Sequence, residues 1–310
     1  MFRPKRQNED DRINPRLGVL DETFIYLHRD YPKIFPLLRF LRTTEPVYSL
    51  CDDAENPSGF RDRWSYMKNL RADMKSLADQ MYKRFVEPIA SLQPTEDELR
   101  VTQNIYGYPV WGSVDSTDHP CEKSVSKELA RYHGNNAQTQ MKSMWVMRNS
   151  GLVEMVVGPL KGTAYDNDLL QQTKKHWEPG AYYLGDEHFK LPNIINGGDK
   201  LMFEKAFKKA IREDNADEFI AALLYCERHG FLRARVEHTF NKGQLLRFGR
   251  LRMWGALDPW LLRDSLRLVA AIINFEILFK FGVTGRYEAI DGSWYSMMIA
   301  QTKKCKVTKQ

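Results

Sequence analysis

The chain has 310 residues, 43% hydrophobic and 12% aromatic, with a formal net charge of +6. That composition supports a sizeable core and excludes wholesale disorder. The positive balance leans toward a polyanionic partner, nucleic acid first.

In chain order, residues 1–20 read as a polar arm; MFRPKRQNEDDR is charged and lacks the pattern of a secretory leader. Residues 21–50 carry an apolar pattern (Phe24, Ile25, Leu27, Ile34, Leu37, Leu38, Phe40, Leu41) cut by Pro32 and Pro36, which predicts short helices. CDDAENPSGFRD (51–62) is a loop by composition. Residues 63–92 have helical spacing, from Met67 through Leu70, Met74, Leu77 and Met81 to Phe85, and Pro88 is expected to mark the end. A Thr95-x-x-Glu98 capping box predicts a further short helix in TEDELRVTQNI.

The texture then changes. YPVWGSVDSTD (108–118) reads as a β run ending on acids. Residues 140–160 read as two strands joined by a turn at Asn149-Ser150-Gly151, a hairpin. AYDNDLLQQTKKHW (164–177) is helical, AYYLGD is the next strand, and 201–229 is strongly helical up to Gly230. A further helix is expected over 231–248 and a last one over 260–281. The order helices, then β–β–β–α–β, then helices predicts an α/β fold with a mixed sheet flanked by helices.

The four cysteines, Cys51, Cys121, Cys226 and Cys305, lie far apart with no CxxC pair, so they read as free thiols and not a zinc site. The longest apolar run, LRLVAAIINFEILF, holds Arg267 and Glu276 and is too short to span a bilayer. The expectation is a soluble intracellular protein without a membrane partner.

Two strands deliver aspartates, Asp115 in VWGSVDSTD and Asp186 in AYYLGD. If those strands pair, the two carboxylates converge at one edge of the sheet, and a divalent cation with oxygen ligands is the usual way to offset their repulsion. Glu237 in RARVEHTF is the candidate third acid, with Arg233 four residues before it on the same helix face. Each acid alone has a bland reading: a turn cap, or a surface ion pair.

From about Lys68 to Asn274 the chain resembles the DDE nuclease domain of Harbinger-type transposases and their domesticated relatives. The segments that carry this are VWGSVDSTDHP, YHGNNAQTQMKSMWVMRNSGLVEMVVGPLKGTAYDNDLL, YYLGDEHF, LRARVEHTF and LRLVAAIIN. The resemblance implies an RNase H-like mixed sheet flanked by helices. It implies that Asp115, Asp186 and Glu237 are catalytic and hold two Mg²⁺ (or Mn²⁺) ions, with Asp166 as a supporting residue. It divides the chain into the arm (1–20), a helical N-terminal region (21–104), a nuclease domain (105–285) with a helical insertion at 199–230, and a basic tail (286–310). The chain departs from the family at Gly134-Asn135-Asn136, where two cations are lost, and at Tyr165, which replaces a histidine.

The activity implied is metal-dependent cleavage of DNA and transfer of the freed 3′-hydroxyl, with double-stranded DNA as substrate. Arg233, Arg235, Lys242 and Arg247 are the candidate phosphate contacts. The family also implies a nuclear setting, with the cytoplasm left open, a Myb-like DNA-binding partner protein, and a homo-oligomer as an open option. The alternative reading is a domesticated, catalytically idle descendant that binds DNA or protein. A third is an unrelated basic α/β protein whose acids are structural. The tryptophans and His119, His188 and His238 are read as core or neighbouring residues, not ligands.

Overall fold

The computed structural model describes residues 21–42, 63–94, 109–120, 140–162, 164–173, 180–186, 189–195, 197–221 and 259–280, with single positions at 96, 99, 100, 103, 223 and 224. The helix expected over 231–248 and all four cysteines lie outside the described residues.

Helices α1 (Asp21–Asp30) and α2 (Ile34–Arg42) flank Pro32, whose missing N–H suits the break between them. Helix α3 (Arg63–Phe85) buries Leu70, Met74, Leu77, Met81 and Phe85, a run of three- and four-residue steps that keeps one face inward. Pro88 does not simply end this helix. It sits in the first turn of a separate short helix, α4 (Glu87–Ser91), where its N–H would have had no partner anyway.

Among the described residues the sheet has five strands: β1 (Val110–Pro120), β2 (Gln140–Arg148), β3 (Val153–Lys161), β4 (Tyr182–Leu184) and β5 (Ile194–Ile195). Their order is β3-β2-β1-β4-β5. β2 runs antiparallel to both β1 and β3, while β4 is parallel to β1 and β5 is parallel to β4. The α/β class with a mixed, helix-flanked sheet is therefore observed, and the hairpin forms around residues 149–151 as its turn residues dictate. Strand β5, a two-residue edge, was not legible in the sequence.

Helix α5 (Asp166–Gln172) crosses between β3 and β4. It occupies part of the 164–177 span expected to be helical; 174–179 lie outside the described residues. Helix α6 (Gly197–Arg212) is followed by a break at residues 213–215, with Asp214 at φ 50°, so 201–229 is not one continuous helix. Helix α7 (Pro259–Lys280) is the apolar helix expected over 260–281.

The sheet separates two cores. On one face Met141, Trp145, Leu152 and Val153 pack with helices α1 to α4 and with α7. On the other, Trp111, Val114, Met144, Val146 and Tyr183 pack with Leu170 of α5 and with Phe189. Alternation along β2 produces this split, since 141 and 145 point one way and 144 and 146 the other. Asn274 of α7 ties helix to sheet: its Nδ2 donates to Val153 O and Phe85 O, each at 2.7 Å, and its Oδ1 accepts the Val153 N–H at 2.6 Å. Among the described residues no helix is long and apolar enough to cross a membrane.

Candidate metal-binding carboxylates on paired strands

Strands β1 and β4 are hydrogen-bonded neighbours, the condition on which convergence of Asp115 and Asp186 depends. The register runs Val110 to Tyr182, Gly112 to Tyr183 and Ser113 to Leu184. The ladder ends at Ser113–Leu184, and Asp115 and Asp186 each lie two residues beyond that last pair, Asp115 still within β1 and Asp186 after the end of β4. Alternation within β1 gives Asp115 the face of Ser113, and the Ser113–Leu184 pair puts Leu184 on that face; Asp186 would share it if the extended backbone of β4 ran two residues further.

That alignment depends on an irregularity. Two steps along β1, from Val110 to Gly112, match one step along β4, so Trp111 is an extra residue. Without it Gly112, not Ser113, would stand opposite Leu184, and the faces of the rest of β1 would be reversed relative to β4. Gly112 permits the arrangement: a Cβ there would lie 1.7 Å from the Met147 carbonyl oxygen. Sequence reading singled out the acids but had no signal for the bulge beyond a glycine inside a strand.

Asp115 is in the middle of β1, not at its tip as the sequence suggested. It pairs across the antiparallel ladder with Trp145, on the helix-covered face, and is only partly buried. One of its oxygens, Oδ1, accepts the Ser116 N–H at 2.8 Å. Asp186 does follow the end of its strand. The Gly185 N–H still donates to Ile195 O at 2.9 Å, and the Phe189 N–H then donates to Asp186 O at 3.2 Å as the chain turns. A Cβ on Gly185 would meet Ile194 at 2.7 Å and Phe189 at 3.0 Å, so glycine lets Phe189 fold back under the turn.

Asp166 opens α5 on the opposite face. Its Oδ1 accepts the Ser116 hydroxyl at 2.6 Å and Lys142 Nζ at 3.0 Å. Ser116 thus holds Asp115 through its backbone and Asp166 through its side chain, one residue gripping both sides of β1. Lys142 also faces Asp118, its partner in the ladder. Burial pushes the Asp118 carboxyl above its ordinary pKa, Lys142 pulls it down and Asp166 pushes it up. Neither Lys142 nor Ser116 was picked out from the sequence; only the strand register reveals them.

Beneath the acids lies a buried polar network. The Arg148 guanidinium stands 4.9 Å from the Trp111 ring centre, and its Nη2 donates to Ile89 O and Leu92 O at 3.1 and 2.8 Å. Arg148 Nε is 2.9 Å from Glu154 Oε2, and Tyr183 Oη is 3.0 Å from both Glu154 oxygens. The network joins β1, β2, β3 and β4 to the end of α4, and so stiffens the two strands that carry the acids.

His119 is buried with Nε2 2.7 Å from Ser143 Oγ, which also accepts Trp145 Nε1–H at 2.9 Å. Burial drops its pKa to about 4, so it is a neutral core residue at physiological pH. Trp111 and Trp145 are core residues as expected, whereas Trp260 is exposed at 66%. His188, His238, Trp177 and Trp254 lie outside the described residues, as do Glu237, Arg233, Arg235, Lys242 and Arg247.

Protein-family models, curated proteins and solved structures were compared with the chain, and none matches. Among the described residues no group of three or more His, Cys, Asp or Glu gathers as a metal site. The two carboxylates that are described fit part of a Mg²⁺ site. They are hard oxygen donors, partly open to solvent, in the small number that Mg²⁺ accepts when water and substrate phosphate complete its shell.

Proposed function

We propose that the chain is a metal-dependent DNA endonuclease and strand transferase of the DDE type, built on an RNase H-like sheet. The observation that carries this reading is the pairing of β1 with β4, the strand that leads into Asp186, next to the strand that holds Asp115. The strand order β3-β2-β1-β4-β5, with β2 alone antiparallel to its neighbours, supports the RNase H-like assignment.

In this reading Asp115 and Asp186 are the two described ligands, and Glu237 is the third. A bound pair of divalent cations supplies activation of the attacking water or 3′-hydroxyl and stabilises the leaving oxygen at phosphorus. The chain's own task is to hold the carboxylates in place. The Ser116 N–H occupies one lone-pair site of Asp115 Oδ1 and so limits rotation of that carboxylate. The Lys142 and Ser116 contacts keep Asp166 turned to the other face, as a support for β1 and not a ligand.

The test is nicking of supercoiled plasmid DNA by the full chain with Mg²⁺ or Mn²⁺. Wild-type protein converts supercoiled to open-circle DNA, EDTA stops it, and Asp115→Asn or Asp186→Asn reduces it to background while the fold is retained. An undiminished rate in either variant would rule the assignment out.

A further inference from the structure

Helix α3 carries a face of four exposed cations around a single acid, Asp79, whose side chain is 40% exposed. Along 65–85 its exposed positions are Lys68, Arg71, Lys75 and Lys83, with Ala72, Ser76 and Gln80 between them. Its only acids, Asp73 and Asp79, are taken up by other elements: Lys33 Nζ lies 2.6 Å from Asp73 Oδ1, and Arg267 of α7 pairs with Asp79. Lys68, Lys75 and Lys83 make no ion pair with a described residue.

An ordinary solvated helix mixes signs and gains i,i+4 pairs. The end of helix α6 does so, with Lys209 in its last turn and Glu213 just after it at 3.8 Å. On α3 the acid four residues from both Lys75 and Lys83, Asp79, pairs instead with Arg267, which leaves a net positive face over ~22 Å from Lys68 to Lys83, at ~1.5 Å per residue.

We infer that this face of α3 docks the phosphate backbone of double-stranded DNA without reading its sequence. Three partner classes meet a cationic helix face: anionic membranes, acidic proteins and nucleic acids. A membrane-surface helix needs a large apolar face to insert, yet among the described side chains, which on α3 begin at Ser65, none of the exposed large hydrophobic residues lies on this helix. A protein interface centres on aromatic or aliphatic anchors, and the residues between the cations are Ala72, Ser76 and Gln80. Long flexible cations spaced along a smooth, short-chained face suit phosphates, which position a duplex but carry no base information. The choice of DNA over other duplexes rests on the phosphodiester reading above. The cationic face itself is independent of Asp115 and Asp186.

The test is fluorescence anisotropy of the full chain with a random-sequence 30-base-pair DNA duplex, in EDTA, over a salt series. The triple variant K68Q/K75Q/K83Q is expected to bind at least tenfold more weakly at low salt. Its slope of log affinity against log salt should be shallower by up to about 3, since each phosphate contact contributes ~0.9. The triple Lys→Arg variant should retain both affinity and slope, and a second duplex of different sequence should give the same values. An unchanged slope in the triple Gln variant, no duplex binding by the wild type, or a stripe-dependent preference for phosphatidylserine vesicles or double-stranded RNA would overturn the inference. Plasmid nicking separates this from the nuclease reading: Asp115→Asn should lose nicking and keep stripe-dependent binding. Stripe-dependent binding without nicking in the wild type removes the nuclease and leaves the docking face standing.

Discussion

His119 shows how burial alone decides the state of a side chain. Its imidazole is held in a dry layer against Ser143 Oγ, and the protonated form is disfavoured there. The folded pKa, about 4, lies below the ordinary value of 6.5. Between those values the unfolded chain binds the proton and the folded chain does not. The stabilisation is therefore complete above pH 6.5 and is lost as pH falls toward 4. The gap corresponds to on the order of 3 kcal/mol. Urea midpoints at pH 7 and pH 4.5 check this: wild type should lose more stability over that interval than His119→Gln. Equal losses would show that His119 is not titrating as burial requires. The same residue illustrates a limit of sequence reading. His119 lies four positions from Asp115, close enough to invite a ligand role, but the ladder seats it opposite Met141 in the core.

Elements were more legible than their joints. The hairpin followed from two apolar runs around Asn149-Ser150-Gly151, and α3 and α7 followed from their periodicity, because those signals are local. Strand β5 was missed because two isoleucines carry no period. The helical reading of 201–229 did not locate the break at 213–215, because the stop at Asp214 is conformational, with no glycine or proline to announce it. Asp115 was placed at a strand tip because acids usually end strands, whereas β1 continues to Pro120. The decisive joint is the bulge at Trp111, since it sets the register of β1 against β4 up to Ser113 and Leu184, the last pair before the two acids. Gly112→Ala should force the Met147 carbonyl away and slip the β1 register. It should cost about 3 kcal/mol or more, and it should abolish any Mn²⁺-induced rise in Tm although no acid has been changed. A variant that keeps both its stability and its Mn²⁺ response would mean that the bulge does not set the site.

At the scale of the molecule, the helices of 21–91 do not pack as a separate body. They share one core with α7 and with one face of the hairpin, while the other face closes over α5. Asn274 spans the junction, donating to Phe85 O of α3 and to Val153 O of β3. This architecture packs helices on both faces of the sheet and brings the strands that lead to Asp115 and Asp186 side by side. Legibility of the site therefore stopped at chemistry: acids of the right type were visible, but whether they meet depends on strand order, which is non-local. The most direct test is anomalous scattering from crystals of the full chain soaked in Mn²⁺. The account predicts a peak bridging the carboxylates of Asp115 and Asp186, lost in Asp186→Ala crystals. Soaked crystals with no density between those two side chains, or with manganese only elsewhere on the surface, would contradict it.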